Sequence, residues 1–175
     1  MLQSERLTLR AVEPTDADFM YDVENDPAAW LYADTVAPLS RRIIRDYAMN
    51  YNADPYSDGQ LRLIATLRES STPVGIVDLY EISARHRRAC IGIYILPDFR
   101  RRGLASEAIA AIGDYASEAL GLHKVWARIS HDNHASEKAF SSAGFRLEAT
   151  LKDWLLTSDG PSDINIYSKT LNPKP

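Results

Sequence analysis

The sequence predicts an α+β fold: one domain on a mixed, mostly antiparallel sheet of six or seven strands, flanked by helices. Three observations carry this. Residues 61–96 hold three successive apolar runs separated by turn residues, the pattern of an antiparallel meander. Residues 90–129 read as strand, short turn, helix and strand, a crossover that makes its two strands parallel. No linker, internal repeat or low-complexity tract divides the 175 residues, a length that suits a single core.

The elements follow in order. Residues 7–10 alternate as an opening strand, and Pro14-Thr15-Asp16-Ala17-Asp18 starts a helix ahead of Phe19, Met20 and Val23. Pro38 punctuates the chain before a second helix over about 40–51. Glu24, Asp26, Trp30, Tyr32 and Asp34 lie between the two, and this stretch admits two readings. It is a loop joining helices, or one wall of an amine pocket in which carboxylates sit beside aromatic faces. Strands are expected at 61–67, 74–82 and 90–96, with turns at 70–73 and 83–88. Leu104, Ala108, Ile109, Ile112, Tyr115 and Ala116 recur at helical spacing as far as Leu120, and Gly121 is a stop. A strand at 124–129 comes next, then a helix capped by Asn133 and ended by Gly144. The last strands span 145–156 and 164–171 around a turn at 158–161, and 172–175 is expected to fray.

Composition narrows the classes. No run reaches the 18 or more apolar residues of a membrane helix, and the first residues lack a secretory pattern, so the expected compartment is the cytoplasm. A net charge of −4 is the wrong sign for a nucleic-acid footprint. Cys90 is the single cysteine, which leaves no internal disulfide and no cysteine-rich zinc site, and no metal is expected. Basic residues cluster at 85–88 and 100–102 while the N-terminal third is acidic, an asymmetry that suits an anionic cofactor on one side and a cationic substrate on the other.

The turn Arg100-Arg101-Arg102-Gly103 lies between a strand and a helix. Such a turn places backbone N–H groups at the positive end of a helix dipole, where a pyrophosphate is held, and Gly103 removes the Cβ that blocks close approach. No Lys-Ser/Thr follows the glycine and no glycine triplet is present, so it is neither the ATP loop nor a dinucleotide turn. A solvated basic β–α turn is the competing reading.

Three matches resolve that choice. Arg100-Arg101-Arg102-Gly103-Leu104-Ala105, Asn133-His134-Ala135-Ser136 and Ala143-Gly144-Phe145 stand in the order and separation of the pyrophosphate turn, Asn-x-x-Ser and Gly-Phe of the GNAT family of acetyl-CoA-dependent N-acetyltransferases, which the chain resembles over nearly its whole length. Glu5-Arg6-Leu7-Thr8-Leu9-Arg10 is similar to the start of the branch holding ribosomal-protein and polyamine acetyltransferases, and 74–82 with 86–89 looks closest to spermidine/diamine members. The resemblance implies acetyl-CoA in a V-shaped opening between the splayed parallel strands. Its pantetheine would meet the backbone of Ile93, Tyr94 and Ile95, its pyrophosphate the amides of Arg101, Arg102, Gly103, Leu104, Ala105 and Ser106 with Arg100 alongside, and Asn133, Ser136 and Phe140 would complete the cofactor site. The acceptor it implies is a polyamine or similar small cationic amine, with a protein N-terminus or lysine and a catalytically weakened acyl-CoA-binding protein as alternatives. Family members often pair subunits, so a homodimer or higher homo-oligomer is a further expectation.

The chemistry needs a proton acceptor. Neutralising a lysine-like amine at pH 7 costs ~4.6 kcal/mol, and an α-amine about 1.4 kcal/mol. Polyamine members place a glutamate on the strand before the pyrophosphate turn and a tyrosine four residues before the Gly-Phe glycine; this chain has Cys90 and Phe140 there. Asp78, Glu81 and His86, on or just after the adjacent strand, are the candidate bases, and Tyr94 a candidate hydroxyl, with Tyr167 as another. Glu81 alternatively pairs with Arg87 or Arg88, His86 beside two arginines reads first as a surface or structural residue, and Cys90 reads as a small core residue or an acyl-carrying nucleophile. An oxyanion donor is expected at the backbone N–H of Ile93 or Tyr94.

Overall fold

Alternation of apolar residues decides which side of each strand faces the core, and in this chain both sides do. The computed structural model describes residues 2–30 and 35–172. Eight strands run β1 Leu2–Gln3, β2 Leu7–Ala11, β3 Leu61–Leu67, β4 Pro73–Ser83, β5 Arg88–Ile95, β6 Lys124–Ser130, β7 Arg146–Thr157 and β8 Gly160–Thr170. They form one sheet in the order β1-β2-β3-β4-β5-β6-β8-β7, antiparallel except for β5–β6. The expected six or seven strands become eight because Leu2–Gln3 folds back on β2, a two-residue pairing too short to leave a period in the sequence.

The helices are α1 Ala17–Glu24, α2 Pro27–Trp30, α3 Arg41–Met49, α4 Pro55–Asp58, α5 Leu104–Glu118 and α6 His134–Ser142. Leu63, Val77, Leu79, Ile91, Val125, Ala127 and Ile129 point to one face, where Leu104, Ala108, Ile109 and Ile112 of α5 and Ala139 and Phe140 of α6 cover them. Ile64 and Ile76 point to the other, under Met20 and Val23 of α1 and Ile44 and Ala48 of α3. The second cover stops at about β4–β5, so among the described residues no helix lies over the opposite face of β6.

Ends and insertions differ in detail from the sequence reading. The helix expected to reach Leu120 stops at Glu118, because the Leu122 N–H returns to the Ala116 carbonyl across Gly121, whose φ is 60°. Ser40 caps α3, its Oγ accepting the Ile43 N–H, so the predicted 40–51 span begins one residue later and ends at Met49. The stretch read as a loop after α1 carries the single turn of α2; Tyr32 and Asp34, and positions 173–175 of the expected frayed tail, lie outside the described residues.

Candidate active site

The parallel pair splays early. β5 and β6 are in register only at Arg88–Lys124, Ala89–Val125 and Cys90–Trp126, although both strands run on. Beyond Cys90 the two edges part as a V that opens toward their carboxyl ends. The Leu96 N–H donates to the Val74 carbonyl, so by antiparallel alternation Tyr94 and Gly92 turn their backbone groups to β4 while Ile91, Ile93 and Ile95 turn theirs into the V. Of the two residues expected to offer an oxyanion donor, only Ile93 therefore faces the opening. Tyr94 has its N–H committed to β4. The Ile95 carbonyl is taken by Arg100 Nε at 2.8 Å, and the Arg100 guanidinium lies 5.3 Å from the Tyr94 ring centroid.

At the carboxyl end of β5 the basic turn leads into α5. Gly103 precedes the helix with φ 79°, and a Cβ there would meet only Arg6 Nη2, at 3.4 Å. The first helical bond runs from the Glu107 N–H to the Gly103 carbonyl, so the amides of Leu104, Ala105 and Ser106 have no partner within the helix. At the end of β6 the same geometry recurs. Asn133 caps α6 by accepting the Ser136 N–H at 3.1 Å, and its own N–H donates to the Ser130 carbonyl at 2.8 Å. Two helix N-termini thus flank the mouth of the V on one face of the sheet. Free strand edges followed by free helix amides fit an extended amide chain ending in a diphosphate.

The expected catalytic residues separate. Asp78 gives both carboxylate oxygens to Arg62, at 2.9 Å each, and Arg62 also bonds Glu24. Burial works against the Arg62 charge, but Asp78 and Glu24 outweigh it and hold its pKa above the ordinary range. His86 sits exposed in the turn before β5, at the opposite end of that strand from the basic turn. The Tyr94 hydroxyl donates to Asp26, and burial first, then this bond, pushes its pKa up to about 12. Phe140 is 3% exposed and packs edge-on against Phe145 at 5.1 Å, in the core under α6. Tyr167 lies in the same core layer.

Glu81 is the one candidate carried to the apex of the V. The register of β4 shifts between Tyr80 and Ser83, and Glu81 sits in this bulge with φ 51°. Its Oε1 accepts from Arg128 Nη2 at 2.9 Å, which replaces the expected partners Arg87 and Arg88. Arg128 stands on β6 two residues past the last paired position, 5.8 Å from the Tyr80 ring and 5.7 Å from the Trp126 ring. Tyr80 lies over Gly92, whose added Cβ would meet Tyr80 Cε1 at 3.3 Å. It shares hydrogen bonds with Arg128 and the Cys90 thiol, and burial holds its hydroxyl protonated well above the usual range. Cys90 is 0% exposed, and burial pushes its thiol up to about 11, the chemistry of a core residue.

Tyr80, Trp126, Arg128 and Arg62 are absent from the sequence-derived site. One signal was available for Arg62, a charge at an inward position of the apolar run 61–67, which needs carboxylate partners. The others depend on the Glu81 bulge and on which strand lies beside β5.

Comparison with known proteins agrees with this geometry. The acetyltransferase (GNAT) domain profile matches residues 6–146. The spermidine N(1)-acetyltransferase of Escherichia coli strain K12 is 34% identical over 151 residues, covering 86% of this chain and 78% of that protein. An uncharacterized N-acetyltransferase of Bacillus subtilis, YoaA, is 29% identical over 172 residues, 96% of this chain and 95% of that one. Among solved structures, the spermidine N-acetyltransferase of Vibrio cholerae in complex with CoA and spermine superposes with a TM-score of 0.83 at 24% identity, covering 94% and 95% of the two chains. A fold with a splayed β5–β6 pair, a free-amide turn at its mouth and a matching profile over most of the chain has one conclusion: the protein belongs to the GNAT family and is an acetyl-CoA-dependent N-acetyltransferase.

Proposed function

We propose that the acceptor is a small cationic amine of diamine size, bound on the open face of β4, β5 and β6, and that Glu81 accepts its proton. The observation that carries this is the bulge that turns the Glu81 carboxylate toward the position where Cys90 has no acid-base group to offer. Glu24, Asp26, Asp78 and Glu81 set four carboxylates along that face against the guanidiniums of Arg62 and Arg128. The surplus of acid suits an acceptor with one or two positive charges better than a long polyamine, because Arg62 already neutralises much of what the sequence offered. The spermidine acetyltransferase relative supports a small cationic amine as the acceptor, and the preference for a diamine rests on the charge balance of this face alone.

Acetyl-CoA supplies the acetyl group as a thioester. The amides of Arg101 to Ser106 and the Ile91–Ile93 edge orient it, and the Ile93 N–H faces the region where the carbonyl oxygen gains charge. Glu81 removes a proton from the attacking nitrogen, and the Tyr80 hydroxyl, kept protonated by burial, returns one to the departing sulfur. Tyr80 regains its proton from Glu81 through solvent.

The test is CoA release from acetyl-CoA with diamines, spermidine, spermine and a peptide bearing a free α-amine. Turnover with diamines at higher kcat/KM than spermine is expected. Turnover on the peptide alone would move the acceptor to a protein α-amine, which needs less help from a base.

A further inference from the structure

The turn before α5 is an improbable backbone. Arg101 has φ 61° and Gly103 φ 79°, two left-handed residues within three positions, and one of them carries a side chain. Such conformations persist where the surroundings over-determine them. Here the surroundings are the segment between β1 and β2. Arg6 Nη1 donates to the Arg102 carbonyl at 2.9 Å, inside the turn. Arg6 Nε and Nη2 both reach Glu107 Oε2 at 2.8 Å, one turn into α5, while the Arg6 N–H donates to Glu107 Oε1 at 2.6 Å. Ser4 Oγ donates to the same oxygen at 2.6 Å. Five donor contacts therefore fasten the turn and the first turn of the helix from behind.

Glu107 presents a problem that Arg6 solves. A carboxylate in the first turn of a helix favours the dipole, but it repels a diphosphate brought to the same amides. Paired with Arg6, its charge is cancelled at short range and both oxygens are occupied. Burial works to raise the Glu107 pKa, yet the bonds from Ser4 and Arg6 outweigh it and hold the group ionised below the usual carboxylate range, so the pairing is ionic.

We infer that Arg6, with Ser4 and Glu107, is a positioning set for the cofactor diphosphate: it holds the 101–106 amides in the arrangement that binds acetyl-CoA and takes no part in the chemistry of the acceptor. This rests on the assignment of those amides to the diphosphate. Arg6 acts through the turn, so its removal should appear in donor affinity and leave the chemical step alone.

The experiment compares acetyl-CoA with S-acetylpantetheine, a donor lacking the diphosphate, in the wild type and in Arg6→Gln, Arg6→Lys and Ser4→Ala, with melting temperature recorded for each. Arg6→Gln should raise the KM for acetyl-CoA about tenfold or more while kcat stays within about twofold, the scale of one charge-assisted hydrogen bond. Its kcat/KM with S-acetylpantetheine should be unchanged, a result that general damage to the fold would not give. Arg6→Lys should recover part of the loss and Ser4→Ala should show a smaller rise. Equal losses with both donors, or an unchanged KM for acetyl-CoA, overturn the inference. Should Arg6→Gln not fold, Ser4→Ala decides by the same comparison. A wild type that uses both donors equally well would instead overturn the diphosphate assignment beneath it.

Discussion

At the scale of single residues, the difference between a carboxylate that is present and one that is available governs the chemistry. Asp78 and Glu81 stand three positions apart on β4, yet Asp78 has both oxygens on the half-buried Arg62 and Glu81 has one on an arginine at the cleft. Glu81→Gln keeps a hydrogen-bond acceptor for Arg128 and removes the proposed base. We expect kcat for a diamine to fall by about 100-fold or more, with a smaller loss on a low-pKa α-amine; steady-state kinetics with both acceptors checks this, and a loss under threefold would take the role from Glu81. Cys90 makes a second prediction. Its thiol is raised from 9.0 to about 11, so the folded state holds a proton that the unfolded chain has released. The contribution of Cys90 is fully present below pH 9 and disappears as pH rises through 11. Melting curves of the wild type and Cys90→Ala across pH 8–11 should converge toward high pH, with the wild type losing of order 2 kcal/mol relative to the variant.

At the scale of elements, the shape of the V depends on how closely β4 and β5 approach. A Cβ on Gly75 would lie 2.2 Å from the Tyr94 carbonyl oxygen, a contact that backbone must move to relieve. Gly75→Ala should therefore destabilise the protein by about 2 kcal/mol or more, measured by urea unfolding, and should lower acetyl-CoA affinity because β5 carries the cleft edge. The bulge at Glu81 acts at the same scale. Period-two alternation relates the strand residues that share a face, and along β4 Val77 and Leu79 face one core layer and Ile76 the other; the bulge beyond Tyr80 then shifts register, which no apolar pattern announces. His86 shows the converse. The hairpin brings it near β5 in sequence terms, but strand direction places it at the far end from the basic turn.

At the scale of the molecule, the sheet separates the two regions to which the proposed function assigns donor and acceptor. Helix N-termini and the basic turn gather at the cleft mouth on one face, whereas carboxylates and aromatic rings gather on the open face beyond it. In the proposed site, Arg100, Arg101 and Arg102 let a chain of net charge −4 hold an anionic donor locally. Raising ionic strength from 0.05 to 0.5 M, which shortens the Debye length from about 14 to about 4 Å, should raise the KM for acetyl-CoA several-fold. The KM for the diamine should rise less, because part of its binding is to aromatic faces. Initial-rate measurements with each substrate varied would separate the two.

What the sequence determined by itself was local. A β-branched run, a basic turn with one glycine and an amphipathic helix specify strand, a turn with free amides and helix through short-range sterics and capping, and Asn133 specifies the second helix start in the same way. What only the tertiary structure decided was which charges cancel. Arg62 against Glu24 and Asp78, Arg128 against Glu81, and Arg6 against Glu107 join residues 38, 16, 47 and 101 positions apart. Coulomb attraction and hydrogen bonding act over a few ångströms, and the sheet order, not the chain order, sets which groups come that close.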